Sequence, residues 1–198
     1  MTALSREARL DRLDAMIAEG RLLRGAWTGG HDRACLLAAL SPEAGEQREA
    51  AACPARLMPR WLAHLTVSLD DLGTIEAWPA MTRRYAALAR RWHVLDAATW
   101  RRLDFGFRAA SVRLSRESVT PEFAIVLSEI DAVLVLLDRE AAAESAAWSA
   151  ARSAAESAAE AAAWSAAWSA AWSAAWDRLT AELFDAIDGE CAKAEATT

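Results

Sequence analysis

Apolar residues in this chain recur at steps of three and four, the spacing of helix faces, and strand-like alternation is scarce. Leu10, Leu13 and Ile17 mark one face of a first helix that stops at Gly20. Gly25, Gly29 and Gly30 predict a flexible connection around Trp27, and a short helix follows from Asp32 to Leu40, ended by Ser41-Pro42. Residues 42–53 are polar and read as a surface loop or a frayed helix. Pro54 or Pro59 opens the next helix, because a first-turn proline forfeits no helical hydrogen bond. Leu57, Trp61, Leu62, Leu65 and Leu69 form its face, and Asp70, Asp71 and Gly73 mark a turn. Trp78, Met81, Tyr85, Leu88 and Trp92 then make a heptad-like stripe. Trp100, Leu103, Phe107, Ala110 and Leu114 repeat it behind Asp96, a candidate N-cap.

The second half opens on Thr120-Pro121-Glu122, which combines a capping hydroxyl, a first-turn proline and an early acid. Phe123, Leu127, Ile130, Leu134 and Leu137 form the stripe behind it. From Glu122 to Asp188 there is neither glycine nor proline, and one helix of that length would reach about 100 Å. A reversal near residues 138–143 avoids this and leaves a last helix over 142–187, with Trp176, Leu179, Leu183 and Ile187 on its stripe and Gly189 as its C′ residue.

Within that last helix, residues 145–176 repeat a four-residue word: SAAW, SAAR, SAAE, SAAE, AAAW, SAAW, SAAW, SAAW. Each step of four advances about 40° around the axis, so Trp164, Trp168, Trp172 and Trp176 form a ridge that winds through about 120°. Trp148 falls about 160° away from Trp164 and belongs to a different contact. Alanine and serine between the indoles let a neighbouring backbone approach closely, and each buried ring contributes several kcal/mol. The ridge is therefore the central post of a bundle, a recognition surface of the kind tryptophan favours, or a face for self-association.

Charge and composition change this picture little. The net charge of −6 is uneven: residues 83–116 carry nine arginines against two acids, between acidic flanks. Arg83, Arg84, Arg90, Arg91, Arg101, Arg102 and Arg108 can line a phosphate-contacting face, with Trp92 and Trp100 for stacking; alternatively they are solvated or paired with the acidic C-terminal part. Three widely spaced cysteines without a CxxC pair point to a reducing, cytoplasmic setting, and a charged N-terminus lacks the apolar core of a signal peptide. The uncharged run 161–176 is too short and too mildly apolar to span a bilayer, and it lacks the basic face of an interfacial helix.

Candidate chemistry is sparse. His31 and Cys35 sit four apart and can share a helix face, with Cys53, His64 and His93 as further ligands, but these spacings match no compact zinc signature. The Asp70-Asp71 pair is read as a turn ahead of an acid–base or magnesium site. No GxGxxG, P-loop, GxSxG or HExxH is present. No cofactor and no catalytic residue is assigned.

The segment CPARLMPRWLAHL…SLDD…EAWPAMTRRYAALARRW (53–92), with the alanine-rich tail carrying an aromatic at every fourth position, resembles a loose group of bacterial and phage hypothetical proteins labelled immunity proteins. The likeness covers 53–103 and 141–187, and residues 1–52 lend it nothing. It implies a small cytoplasmic or phage-encoded protein that binds another protein, a toxin or a defence component.

The sequence thus predicts an all-α, six- to seven-helix bundle, one domain over 1–198 with a body over 1–140 and a long Ala/Ser/Trp-rich helix over 141–190 packed on it. The leading function is non-enzymatic protein binding through Trp148, Trp164, Trp168, Trp172 and Trp176, with oligomerisation as a companion. The alternatives are nucleic-acid binding by the arginine block and a metal-dependent enzyme; no membrane is involved.

Overall fold

The computed structural model describes residues 4–30, 32–117, 130–132, 134–135 and 166–197, and for 115, 117 and 166–171 the backbone alone. The fold is all-α, with a long C-terminal helix and one two-residue antiparallel pairing. The expected helix start at Thr120-Pro121-Glu122 and the reversal at 138–143 lie outside the described residues. The chain divides into two compact units, Met1–Asp96 with Phe184–Thr198, and Ala97–Leu183.

The first unit begins with α1 (Arg6–Ala18), whose first turn is closed by Ser5 Oγ accepting from Ala8 N at 3.2 Å. Its end is a Schellman turn: Gly20 is left-handed at φ 64°, Gly20 N donates to Ile17 O, and Arg21 N donates to Met16 O. The glycine therefore stops the helix as its position in the sequence indicates. The buried face is Arg9, Leu10, Leu13 and Met16, rotated from the expected Leu10–Leu13–Ile17 stripe, because Arg9 takes a core position.

The glycine-rich connection is more ordered than expected. Its strands β1 (Thr28–Gly29) and β2 (Arg33–Ala34) pair antiparallel, and Leu23 N donates to Ala34 O. This displaces the expected helix start at Asp32: α2 is Leu36–Leu40, with Cys35 in extended geometry as its N-cap. All five residues of α2 are buried. The polar segment 42–53 is also structured, as α3 (Pro42–Gln47) and a 3₁₀ turn at Ala50–Ala52. Gly45 allows this, since a Cβ there would lie 2.8 Å from Ala38 Cβ.

Pro59 caps α4 (Arg60–Leu72), and Leu62, Ala63, Thr66, Leu69 and Asp70 are its buried residues. The carboxylates of Asp70 and Asp71 thus stand in the last turn of a helix rather than in the turn that follows it. Pro79 sits in the first turn of α5 (Trp78–Arg91), whose inner face carries Tyr85 and Leu88, and a 3₁₀ turn buries Trp92. Trp92 Nε1 donates to Leu57 O at 2.9 Å, and its ring meets Tyr85 edge-on at 5.3 Å. The Tyr85 hydroxyl shares a 3.1 Å hydrogen bond with Thr66 Oγ1, and burial pushes its titration up.

The C-terminal helix α7 (Ala166–Ala196) passes Gly189 without stopping, so the expected C′ role of that glycine is corrected. Glycine in a helix costs about 1 kcal/mol, and the burial of Cys191 beyond it, with Arg91 gripping Glu195, offsets that. Phe184, Ile187 and Cys191 belong to the core of the first unit.

The second unit contains α6 (Ala97–Glu117), the helical residues 130–132 and 134–135, and the earlier part of α7. Leu103, Ala109, Val112, Ile130, Leu179 and Leu183 are buried in it. Arg116 reaches Asp131 at 2.6 Å, and Arg108 pairs with Asp104 one turn earlier at 2.8 Å.

Candidate functional site

Two of the five repeat tryptophans have described side chains. Trp148 and Trp164 lie outside the described residues, and Trp168 is described only as helical backbone. Trp172 and Trp176, one word apart, are both half-buried with ring centroids 6.4 Å apart and planes tilted by 33°. Four residues advance a helix by about 6 Å, so this spacing follows from the repeat. The inner flank of the ladder is Phe107 of α6, which meets Trp176 edge-on at 6.5 Å. Trp176 Nε1 is buried and meets no acceptor among the described residues. Trp172 and Trp176 are thus each partly covered and partly exposed.

The arginine block is mostly occupied. Arg84 donates to Asp185 at 2.5 Å while its guanidinium lies 5.6 Å over the Phe184 ring. Arg90 holds Asp11 at 2.9 Å and also Asp14, both on α1. Arg91 grips Glu195 through two bonds of 2.9 and 3.0 Å and reaches Asp188, and these carboxylates push its titration up, Glu195 most. Arg108 is bound to Asp104, and Arg102 donates to Thr99 Oγ1. Arg83 and Arg101 are exposed. Pairing with the acidic C-terminal part, the structural option for this block, is what Arg84 and Arg91 do.

The remaining candidate chemistry resolves into scaffolding. Cys35 is an N-cap, so it stands outside the helix on which His31 and Cys35 were expected to share a face; His31 itself lies outside the described residues. The Cys35 sulfur accepts from Ala38 N at 3.4 Å, and burial pushes the thiol up to about 11, favouring its protonated form at neutral pH. Among the described residues no three His, Cys, Asp or Glu side chains gather to hold a metal.

Asp70 is a tether. Its Oδ2 accepts from Leu36 N at 3.0 Å and its Oδ1 from Trp78 Nε1 at 2.7 Å, joining the start of α2, the end of α4 and the start of α5. Burial pushes its carboxyl up to about 6 against the pull of those two donors. A crevice of about 70 Å³ lies beside it, between Trp27, Cys35, Val67 and Asp71. Its lining places the Cys35 thiol near the Asp70 and Asp71 carboxylates, and Asp70 already accepts from Leu36 N and Trp78 Nε1.

Pattern reading missed the arginines that hold the first unit together. Arg9 is fully buried, makes a bidentate pair with Glu43 on α3, and donates to Leu4 O at 3.1 Å. Arg12 spans Ala38 O and Ala39 O, Arg24 gathers Asp70 O, Asp71 O and Gly73 O, and Arg6 reaches Ala89 O and Arg90 O. Spacing did not single Arg9 out: it precedes Leu13 by four and Met16 by seven, but Arg6 precedes Leu10 and Leu13 by the same steps.

No described helix is long and apolar enough to cross a membrane. No family model matches the chain, and no curated protein and no solved structure matches it.

Proposed function

We propose that this protein acts by binding another protein, in the manner of an inhibitor or immunity protein directed at a toxin or a defence component, with the indole-bearing stretch of α7 as its contact surface. The observation that carries this reading is the pair Trp172–Trp176, neighbouring rings 6.4 Å apart and half-buried on a shaft of alanine and serine. Half-exposed indoles in a row supply rigid apolar area at low entropic cost, which is what interface hot spots are made of. The polar atoms of Asp70, Cys35, Arg9 and Arg91 are engaged in contacts within the fold.

The test is the triple variant W164A/W168A/W172A, compared with the full wild-type chain. The expected outcome is a melting temperature within a few degrees of wild type and loss of whatever protein the wild-type chain captures from its host. A large fall in melting temperature, or capture that survives the substitutions, overturns the reading and assigns the indoles to the core.

A further inference from the structure

Asp70 is 1% exposed, and its carboxylate serves two donors of unequal standing. Leu36 N, bound by Oδ2, opens α2 and belongs to a residue wholly shielded from solvent. Trp78 Nε1, bound by Oδ1, belongs to a half-buried ring at the start of α5. An ionised carboxylate accepts from both. A protonated one keeps a single bare acceptor oxygen, and its hydroxyl must itself donate. The groups facing Asp70 favour that proton. Both of its donors are neutral, and Asp71 beside it on α4 is a like charge. Arg24, on the loop after α1, gives its hydrogen bonds to the backbone oxygens of Asp70, Asp71 and Gly73. The Cys35 thiol at the α2 N-cap and the Tyr85 hydroxyl of α5 are held neutral by burial. Burial outweighs the two donors and lifts the Asp70 carboxyl to about 6. The crevice of about 70 Å³ that Asp70 lines is large enough for a water to accept the new O–H.

We propose that the Asp70–Trp78 bond is an acid-sensitive latch: a proton on Oδ1 releases the Trp78 indole, while Oδ2 keeps Leu36 N. The proton goes to Oδ1 because an orphaned Leu36 amide would stay buried, whereas an orphaned indole N–H turns to water. The release is local. Arg24 still holds Gly73 O at 2.7 Å and Ala77 N still donates to Thr74 Oγ1 at 3.2 Å, so the start of α5 keeps its place. What changes is the surface. The corner over 72–78 already exposes Leu72 and Ile75, and the freed indole adds apolar area to it in acid.

Hydrogen exchange followed by NMR on the full chain tests this. The Trp78 indole proton is identified by its loss in Trp78→Phe, and its exchange with water is read relative to that of Trp92, whose indole donates to Leu57 O. Between about pH 7.5 and about pH 4.5 that ratio is expected to rise about tenfold, as the loss of one hydrogen bond implies, with its midpoint at about 6. The Leu36 amide is expected to stay protected throughout. A flat ratio overturns the proposal, as does a Leu36 amide that opens in place of the indole. In Asp70→Asn the ratio is expected to lose its pH dependence, and a step that persists there assigns the titration to another group and overturns the proposal. If Asp70→Asn does not fold, Asp71→Asn decides. Removing that like charge is expected to move the midpoint to lower pH, and an unmoved midpoint overturns the latch.

Discussion

The arginines of α1 and the loop after it and those of α5 are the same residue type in opposite circumstances. Arg9 is fully buried against Glu43, and Arg6, Arg12 and Arg24 reach backbone carbonyls at the ends of α5, α2 and α4. The last carbonyls of a helix have no partner within it and carry the negative end of its dipole, so a guanidinium placed there satisfies both needs at once. On α5, Arg84, Arg90 and Arg91 keep 35–43% of their side chains in solvent and pair with carboxylates that are themselves 43–74% exposed. The difference teaches that burial, rather than the local density of charge, decides how much an arginine contributes to the fold. The block that dominates the charge pattern is a surface fastening, and the isolated arginines are the structural ones.

The sharpest way to break that contrast is Glu43→Ala. It strands the Arg9 guanidinium in the core, and removing one member of a buried pair costs about 3–5 kcal/mol. Glu43 keeps 35% of its side chain in solvent, so the lower end of that range is expected. Urea unfolding measures it, and a loss below about 1 kcal/mol, the range of surface pairs, would place Arg9 among the surface arginines. The same pair sets an acid limit. Hydrogen bonding to Arg9 holds the Glu43 carboxyl down to about 2. A depressed folded-state value means its stabilisation is whole above the ordinary 4.5 and is lost as pH falls from there toward 2.

Asp70 sharpens the comparison with the opposite sign. Its carboxyl is raised to about 6 from an ordinary 3.8, so the folded state prefers the protonated form. Stability through this group therefore rises as pH falls from about 6 toward 3.8 and is lowest above that window. In Asp70→Asn that slope is expected to vanish from the melting temperature between pH 4 and 6. An amide oxygen also serves only one side of the tether, leaving either Leu36 N or Trp78 Nε1 facing an NH₂ group. At pH 7 the variant is expected to lose about 1–3 kcal/mol. An unchanged pH slope would show that Asp70 is ionised throughout and that its two donors outweigh its burial.

Helix faces were legible because periodicity records burial directly: Leu10, Leu13, Leu62, Leu69, Tyr85, Leu88 and Leu103 are all buried as their spacing indicates. Proline and glycine were legible where local geometry acts alone, as at Gly20 and Pro59. They misled where tertiary contacts override local preference. Gly189 lies within α7 because Cys191 and Glu195 are held from outside the helix, and of the loop or frayed helix expected over 42–53 the structure has helix, at Pro42–Gln47. Cys35 was read as a helix residue, since nothing local announces the β1–β2 pairing that turns it into a cap. Of the candidate site, the Trp172–Trp176 spacing follows from the four-residue period, whereas the edge-on contact with Phe107 depends on packing between helices and leaves no sequence signal.

The smallest expected effect tests the other side of the comparison. Arg90 bridges Asp11 and Asp14, one helical turn apart on α1, and is 43% exposed, so its pairs are solvated and screened. Arg90→Ala is expected to cost about 0.2–1 kcal/mol at low ionic strength. At about 1 M salt the screening length falls to roughly 3 Å, and the difference from wild type should shrink toward nothing. The deficit of Glu43→Ala should persist under the same conditions, because mobile ions do not reach Arg9. Parallel urea titrations of the two variants at low and high salt make the comparison in one experiment. If the Arg90 deficit survives high salt, the pairs on α5 stabilise as buried ones do, and exposure is not what separates the two groups of arginines.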